Sequence, residues 1–434
     1  MSFRMSHHTT AAVVSVGDEL TLGQTLDTNS KWISDRLVAM GIVPVEHVTV
    51  PDDLAAHVAA FKRLAGRVDV IVCSGGLGPT QDDLTRDALA QAMGDTLVED
   101  PIALSQVEAW YTSRGRVMSA NNRLQALRPS QGLALQNLHG TAPGLAGRVG
   151  GCDVFCLPGP PKELFPMFEQ SVAPRLRLPA GRVVRTRVLH TFGIAESDLA
   201  TRLGELMKRD ATPLVGTTAS GGVVSIRMRY EGTMTALEAD ALLDSVEAKC
   251  RDVAGAYIFG GGRDTLASVV VGQLRASGQT LGSVESCTGG LLGAYVTEVP
   301  GSSAAFVGGL VTYTNQLKTA LAHVDAANFA AGAPGAVSKE TARAMALGGL
   351  QTLGCDHTLA ITGIAGPDGG SAEKPVGLVY IARASRGDDE VDVRAFKMLG
   401  DRQNIRDWSA KTAMAMLWQK LSGLPSVKML RESH

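Results

Sequence analysis

Aromatic residues make up only 5% of the 434 residues, with 4 Trp, 6 Tyr and 10 Phe. That scarcity argues against a broad aromatic-anchored interface and against the base-stacking platforms of single-strand nucleic-acid binders. Charge of neither sign prevails: 41 Lys+Arg against 43 Asp+Glu leave a formal charge of −2. No global basic field is available to draw in nucleic acid or a membrane surface, and neither is expected as a partner. The six cysteines, Cys73, Cys152, Cys156, Cys250, Cys287 and Cys355, form no C-x-x-C pair, so they read as reduced thiols of a cytoplasmic protein rather than a disulfide framework or zinc site. The N-terminal stretch MSFRMSHHTTAAVVSVGDEL lacks the apolar core of a signal peptide. Long hydrophobic runs are missing too. The uncharged stretch from Val299 to Leu317 is too rich in Pro, Gly, Ser, Thr, Asn and Gln to span a bilayer.

What is present is a large globular chain, 45% hydrophobic and 19% charged, with 49 glycines. Glycine at that density suggests many tight loops, where phosphate and nucleotide sites are often built. Residues 11–16 form an apolar run ending at Gly17-Asp18-Glu19, and Val68–Cys73 a second one leading into SGGLGPTQDD. Between them, Ile33, Leu37 and Met40 repeat at helical spacing, with Asn29 read as the cap and Gly41 as the stop. Strand–loop–helix repetition predicts a doubly wound α/β domain over residues 1–170.

After a Pro-Ala-Gly turn at 179–181 the texture changes. VVRTRVL and VVSIRMRY alternate apolar with polar or basic residues, as half-exposed strands do, and helical periodicity appears around 196–208 and 235–251. This predicts a small α+β module over residues 171–262, with Gly260-Gly261-Gly262 as a linker. A third, α/β domain is expected over 263–434, with helices from about 265 and at 339–353 and 404–421, and strands at 357–361 and 376–382. No fixed-period repeat points to a solenoid or propeller.

In the first domain, Ser74 to Thr85 lies between a buried strand and a helix, where free amides and the helix dipole favour an anion. Gly75, Gly76, Gly78 and Thr80 are therefore candidate nucleotide-binding residues, and Asp82 and Asp83 candidate ligands for a divalent metal. Asp18 and Glu19, at the neighbouring strand end, are further metal candidates. The plainer reading makes Thr80 or Asp82 a helix cap. Asn137–Gly144 and Leu157–Glu163 read as rigid turns.

In the third domain, Glu285-Ser286-Cys287-Thr288-Gly289-Gly290 brings a strand into a serine at a helix start, where the hydroxyl is presented and backbone N–H groups converge. No histidine suits the role of base, since His323 and His357 stand isolated in sequence. Lys318 can serve if burial lowers its pKa. Cys287 is a rival nucleophile or a small buried filler. Ser371-Ala-Glu-Lys374 matches S-x-x-K, yet lies between Gly370 and Pro375, where no helix can carry it. Arg185, Arg187, Arg227 and Arg229 lie on the alternating strands, without aromatic partners for RNA.

Read together, ESCTGG, PGSSAAFVGGLVTYTNQLK, GAVS, TGIAGPDGG, EKPVG and GDR resemble the C-terminal domain of the CinA family, and GDELTLGQTLDTN, GGLGPTQDDLT, GTAPG and LPGPPKE resemble its N-terminal half. Nearly the whole chain is covered in the family's order. The resemblance implies an N-terminal domain of molybdopterin-binding fold, a small KH-like module, and a C-terminal amidase that converts nicotinamide mononucleotide to nicotinate mononucleotide and ammonia in pyridine-nucleotide salvage. By family pattern the catalytic residues fall on Ser286, Tyr313, Lys318, Thr362 and Arg402, with Thr288, Gly289, Gly290, Gly363 and Gly366 around the substrate. No cofactor is expected for the amidase. The N-terminal domain in some relatives looks like an ADP-ribose pyrophosphatase using a divalent metal, with potassium beside it. Asp83 falls on the acidic position of its G-G-x-G-P loop, while Pro160 and Leu164 depart from the usual LPG pattern. The family also suggests a homodimer. The competing reading is a non-catalytic nucleotide sensor or scaffold of competence and DNA-damage responses; a molybdenum-cofactor enzyme would leave the amidase-like domain a passenger.

Overall fold

A computed structural model describes residues 7–179 and 181–433; the first six residues and Ala180 of the expected Pro-Ala-Gly turn lie outside them. The chain divides into two compact units, residues 1–185 with 231–239, and residues 186–230 with 240–434.

The first unit is built on β1 (Thr10–Val16), β2 (Val43–Val50), β3 (Val70–Ser74), β6 (Leu133–Leu135), β7 (Gly144–Val149) and β8 (Cys152–Leu157), ordered β2-β1-β3-β8-β7-β6, while β4 (Leu97–Glu99) and β5 (Leu127–Pro129) form a separate pair. The first four strands of that order run parallel, and β7 and β6 are antiparallel. Its helices are α1 (Asp18–Thr21), α2 (Thr28–Ala39), α3 (Leu54–Ala65), α4 (Thr85–Met93), α5 (Pro101–Thr112) and α6 (Pro161–Met167). Alternation along β1 loads both faces of the sheet. Ala12, Val14 and Val16 join Phe61, Leu64 and Leu89 on one side, and Ala11 and Val13 join Ile33, Leu37 and Leu164 on the other. Each Val, Leu, Ile or Phe so buried is worth roughly 1.5–3 kcal/mol, so helices are held on both faces, as the doubly wound reading requires. Because β1 connects to β2 on one side and β3 lies on the other, the chain reverses direction between β1 and β3, and the loops after them sit at a switch point.

The α+β module has a four-stranded sheet, β10-β11-β9-β12, from β9 (Val183–Phe192), β10 (Leu214–Ser220), β11 (Val223–Gly232) and β12 (Ile258–Gly261). In the second unit α7 (Glu196–Leu203) and α8 (Ala236–Ala254) cover one face, through Leu199, Leu203, Leu243 and Cys250 against Val224, Ile226 and Met228. Here the expected glycine linker is corrected: Gly260 and Gly261 belong to β12 and pair with His190 and Leu189. A side chain on Gly261 would meet the Val188 carbonyl at 2.7 Å, so glycine permits close strand pairing rather than a flexible joint.

The rest of the second unit carries β13 (Leu281–Glu285), β14 (Phe306–Val311), β15 (His357–Gly363), β16 (Leu378–Ser385), β17 (Asp392–Lys397) and β18 (Glu432–Ser433), ordered β14-β13-β15-β16-β17-β18. The first three strands are parallel and the rest antiparallel. Around them pack α9 (Leu266–Ser277), α10 (Leu291–Thr297), α11 (Asn315–Ala322), α12 (Lys339–Leu353) and α13 (Arg402–Leu421). Leu359 and Ile361 face Val270 and Leu417, while Ala360 faces Met345 and Ala346. Again the middle strand, β13, has its successor on one side and β15 on the other, which puts a second switch point above Ser286.

Candidate active site

Glu285 ends β13 and is 1% exposed. Its carboxylate accepts from the amides of Gly290 and Leu292 at 3.0 Å and Gly293 at 2.9 Å, and from the Ser283 hydroxyl at 3.2 Å. A carboxylate beneath the first turn of α10 satisfies donors that a helix start leaves open and complements its dipole. Gly289 (φ 58°) and Gly290 (φ 94°) take the left-handed conformations that bend the chain over this anchor. Ser286 leads the loop, its amide bonded to the Ile361 carbonyl of β15 at 2.9 Å.

Lys318 reaches Ser286 from α11. Thr314 caps that helix by accepting from the Leu317 amide, and Lys318 and Ala322, four residues apart, turn inward. The Lys318 Nζ donates to Ser286 Oγ at 3.0 Å and to the Thr312 carbonyl at 2.8 Å. Lys318 is 1% and Ser286 9% exposed. Burial holds the ammonium below the ordinary lysine value of 10.5, and no carboxylate among the described residues forms an ion pair with it. Such a lysine gives up its proton far more readily than a surface one.

Cys287 takes the blander of its two readings. It is buried, and burial pushes its thiol up to about 12, so the thiolate a nucleophile needs is scarce. The amides of Gly289 and Gly290 are engaged by the Ser286 carbonyl and Glu285. Among the described residues the Cys287 and Thr288 amides of this loop have no acceptor in another residue, so they are free to meet a developing negative charge. The Thr288 and Thr312 hydroxyls are buried without a partner. Thr312 was not singled out by the sequence, nor was Glu285 given a role.

Tyr313 is 55% exposed and its hydroxyl accepts from Arg402 Nη2 at 2.8 Å; Arg402 Nη1 donates to the Gly366 carbonyl at 2.7 Å. Arg402 thus bridges the loops after β14 and β15. The Thr362 hydroxyl donates to the Ala336 carbonyl at 2.7 Å, which ties the GAVS loop to β15. Gly363 allows β16 close, since a Cβ there would meet the Leu378 carbonyl at 2.7 Å. From α13, Arg406 donates to the Thr288 carbonyl at 2.7 Å. His323 bonds Thr352 and His357 bonds Ser385, outside this arrangement. Ser371 and Lys374 bond one another within a turn.

In the first unit the glycine loop lines a cavity of about 370 Å3 with Gly75, Gly76, Gly78, Asp82, Asp83 and Glu19 on its walls. Neither Thr80 nor Asp82 caps α4, whose cap position is Leu84. Asp83 instead folds back, accepting from the Gly78 amide at 2.7 Å, the Thr80 amide at 2.8 Å and the Thr80 hydroxyl. Asn29 does not cap α2. Asp27 does, accepting from Ser30, which frees the Asn29 amide to bind Ser74 at 2.9 Å and the Gly159 carbonyl at 2.7 Å. Asp18 and Asp52 exchange amide–carboxylate bonds. Burial, then the charges of Asp18, Glu19 and Asp82, push the Asp52 carboxyl up against the pull of the Asp18 amide. Asp52 is thus an acidic neighbour the sequence reading passed over, its one signal being its place just after β2. Among the described residues no three His, Cys, Asp or Glu side chains gather closely enough to hold a metal ion, so Asp83, Asp82, Asp18 and Glu19 are not assembled as a ligand set.

These features define a modular α/β protein with a buried serine–lysine pair at one switch point and a glycine-loop cavity at another. Family models match in the same order: a "Probable molybdopterin binding domain" over residues 12–178, the damage-inducible protein CinA KH domain over 186–260, and the CinA C-terminal domain over 263–421. The chain is 39% identical to a CinA-like protein of Nostoc sp. over 95% of this chain and 99% of that one, and 41% identical to one of Parasynechococcus marenigrum over 90% and 92%. A crystal structure of the competence/damage inducible protein CihA from Agrobacterium tumefaciens is 40% identical, covering 36% of this chain and 93% of that one with a TM-score of 0.34. The chain belongs to the CinA family. Among its described residues no helix is long and apolar enough to cross a membrane.

Proposed function

We propose that the second unit hydrolyses a carboxamide, and that its substrate is nicotinamide mononucleotide, giving nicotinate mononucleotide and ammonia. The observation that carries this reading is the 3.0 Å contact between Lys318 Nζ and Ser286 Oγ in a buried setting that lowers the lysine pKa. A binder without turnover has no need of a nucleophile beside a readily deprotonated base.

Uncharged Lys318 accepts the Ser286 proton as Oγ attacks the amide carbon. The carbonyl oxygen becomes an oxyanion facing the Cys287 and Thr288 amides. Collapse breaks the C–N bond, Lys318 returns the proton to the leaving nitrogen, and ammonia departs from a Ser286 ester. Water then attacks the ester with Lys318 as base, releasing the carboxylate and restoring the serine. Arg402, with two directed N–H groups, suits the substrate phosphate, and Tyr313, whose hydroxyl hydrogen is not given to Arg402, positions a substrate acceptor. Thr362 holds the neighbouring loop.

For the first unit the proposal is nucleotide binding at the Gly75–Thr80 loop, supported by the cavity and by the Gly76 and Leu77 amides, which have no acceptor among the described residues. Its finer form is cleavage of ADP-ribose, for which a divalent metal and potassium would supply charge to the phosphates, with Asp82, Asp18 and Glu19 nearer to hand than Asp83, which is engaged by its own loop. A homodimer is proposed on the exposed apolar side chains Val307 and Val311 of edge strand β14 and Leu317 and Leu321 of α11, in a cytoplasmic setting where six free cysteines stay reduced.

The test is ammonia release and nicotinate mononucleotide formation by the full chain, with Ser286→Ala and Cys287→Ala beside it. Turnover lost only in the serine variant is expected. Loss only in the cysteine variant transfers the role, and a well-folded wild type without turnover removes the amidase and favours a nucleotide sensor.

A further inference from the structure

A cavity of about 550 Å3 lies within the second unit, away from the serine–lysine pair, since Ser286, Lys318, Tyr313 and Arg402 are all absent from its walls. The volume falls in the ~300–1,000 Å3 range of small-molecule sites. Its walls come from β9, β11, β12, the start of α9, the end of α10 and the middle of α13.

Its chemistry is legible from what each polar group has left to offer. Val223, Phe259, Leu266 and Met414 give apolar walls, and the His190 ring stacks on Phe259 at 5.9 Å and 24°, so the flat faces are aligned. Both His190 nitrogens are engaged, one by the Ser225 hydroxyl at 2.9 Å and one by the Gly262 carbonyl at 3.1 Å. Lys411 is the one lining cation, and its ammonium is already held by Asp407 and by the Gly221 carbonyl, each at 2.8 Å. The acids are different. Asp264 uses one oxygen on the Gly261 amide at 2.9 Å, and Glu298 has no partner among the described residues. Unused acceptors without an unused cation repel phosphate and attract hydrogen-bond donors.

We propose that this cavity binds a flat, unphosphorylated heteroaromatic amine of base or nucleoside size, with its ring against the His190–Phe259 wall and its amino group on the Glu298 carboxylate. The site is tied to the nucleophile loop by two helices. Tyr295 on α10 donates to Asp407 on α13 at 2.5 Å, and the residue before it on α13, Arg406, holds the Thr288 carbonyl. An occupant therefore bears on the elements that position Ser286. The binding claim stands apart from the amidase reading; only an effect on ammonia release would rest on it.

Isothermal titration of the full chain uses adenosine as the probe and adenosine monophosphate as the control. Saturable adenosine binding is expected, with the monophosphate about tenfold or more weaker. Ser225→Trp, which fills the cavity, should abolish adenosine binding. Because that variant can disturb the sheet, Glu298→Lys, at an exposed side chain, is the second arm: it should weaken adenosine about tenfold and shift the preference toward the monophosphate. No saturable adenosine binding to the wild type at millimolar concentration overturns the proposal. So does binding that both variants leave intact, or a monophosphate that binds as tightly as adenosine.

Discussion

Two strand ends in this chain share their parts, a buried apolar strand, a serine at its end, small residues, a nearby acid and a helix, yet they fold into different instruments. Around Ser286 the acid precedes the loop: Glu285 stays in the sheet and takes the amides of α10 from below. Its side chain leaves the loop's upper surface to the serine, and a lysine from the next helix closes on it. After Ser74 the acid follows the loop, and Asp83 turns back onto the Gly78 and Thr80 amides. That loop is tied by its own carboxylate and lines a cavity, but among the described residues no base bonds its serine, whose hydroxyl accepts from Asn29. Glycine content does not separate the two. The position of the carboxylate and the arrival of a buried lysine do.

The largest expected effect tests that lysine. Lys318→Met should lower kcat for nicotinamide mononucleotide hydrolysis by about 10^3-fold or more, as losing one member of a unit that acts together does, while leaving the first unit's stability unchanged. On the proposed mechanism the wild-type rate depends on uncharged Lys318. Since burial lowers its pKa, kcat/KM should climb with pH through a midpoint below 10.5, the ordinary lysine value, and level off above that midpoint. A profile flat from pH 6 to 10 would argue that Lys318 is not the base.

Next comes the anchor. Glu285→Gln puts a donor where three backbone amides already point, at a cost of about 1–3 kcal/mol for the buried mismatch. Thermal unfolding should fall, and kcat should drop about tenfold or more with KM little changed, because the loop carrying Ser286 and the two amides loses its support. Equal loss in Asp83→Asn would erase the contrast between the loops. Asp83→Asn is expected to destabilise the first unit by ~1–2 kcal/mol and to leave ammonia release at the wild-type rate.

How much of this was legible in the chain follows from range. Period-2 and continuous apolar runs announced β1, β3, β9 and β11, and the helix over 339–353 matches α12, because those patterns are local. The mixed α/β class with a molybdopterin-binding-type domain, a KH-like module and a C-terminal CinA domain was readable in full. Caps were less so: Asn29 and Asp27 are equally good formers two residues apart, and only the nearness of Ser74 and Gly159 draws Asn29 inward. Gly260 and Gly261 look like a joint until the Val188 carbonyl beside them is seen. Lys318 stood 32 residues from Ser286 with nothing in its spacing to pair them; the want of a suitable histidine singled it out, the resemblance agreed, and the fold supplies the contact. Glu285 and Asp52 were missed because their work lies in amides and neighbouring charges, which no side-chain motif records.

The smallest effect is expected at Cys287, and it sharpens the comparison most. Its thiol sits at a helix start next to a cation, the setting that ordinarily lowers a thiol pKa. Yet it is 6% exposed and pushed up to about 12, burial outweighing the pull of Lys318 and Arg402. At neutral pH that leaves almost no thiolate. Cys287→Ala keeps the backbone amide assigned to the oxyanion and deletes one small buried group, so kcat should stay within about threefold of wild type, with a stability loss of roughly 1 kcal/mol for the vacated space. Cys287→Pro removes that amide as well, and its ring constrains the turn. It should cost far more activity than the alanine variant, and a proline variant that folds and turns over at the alanine rate would show that the Cys287 amide does not hold the oxyanion.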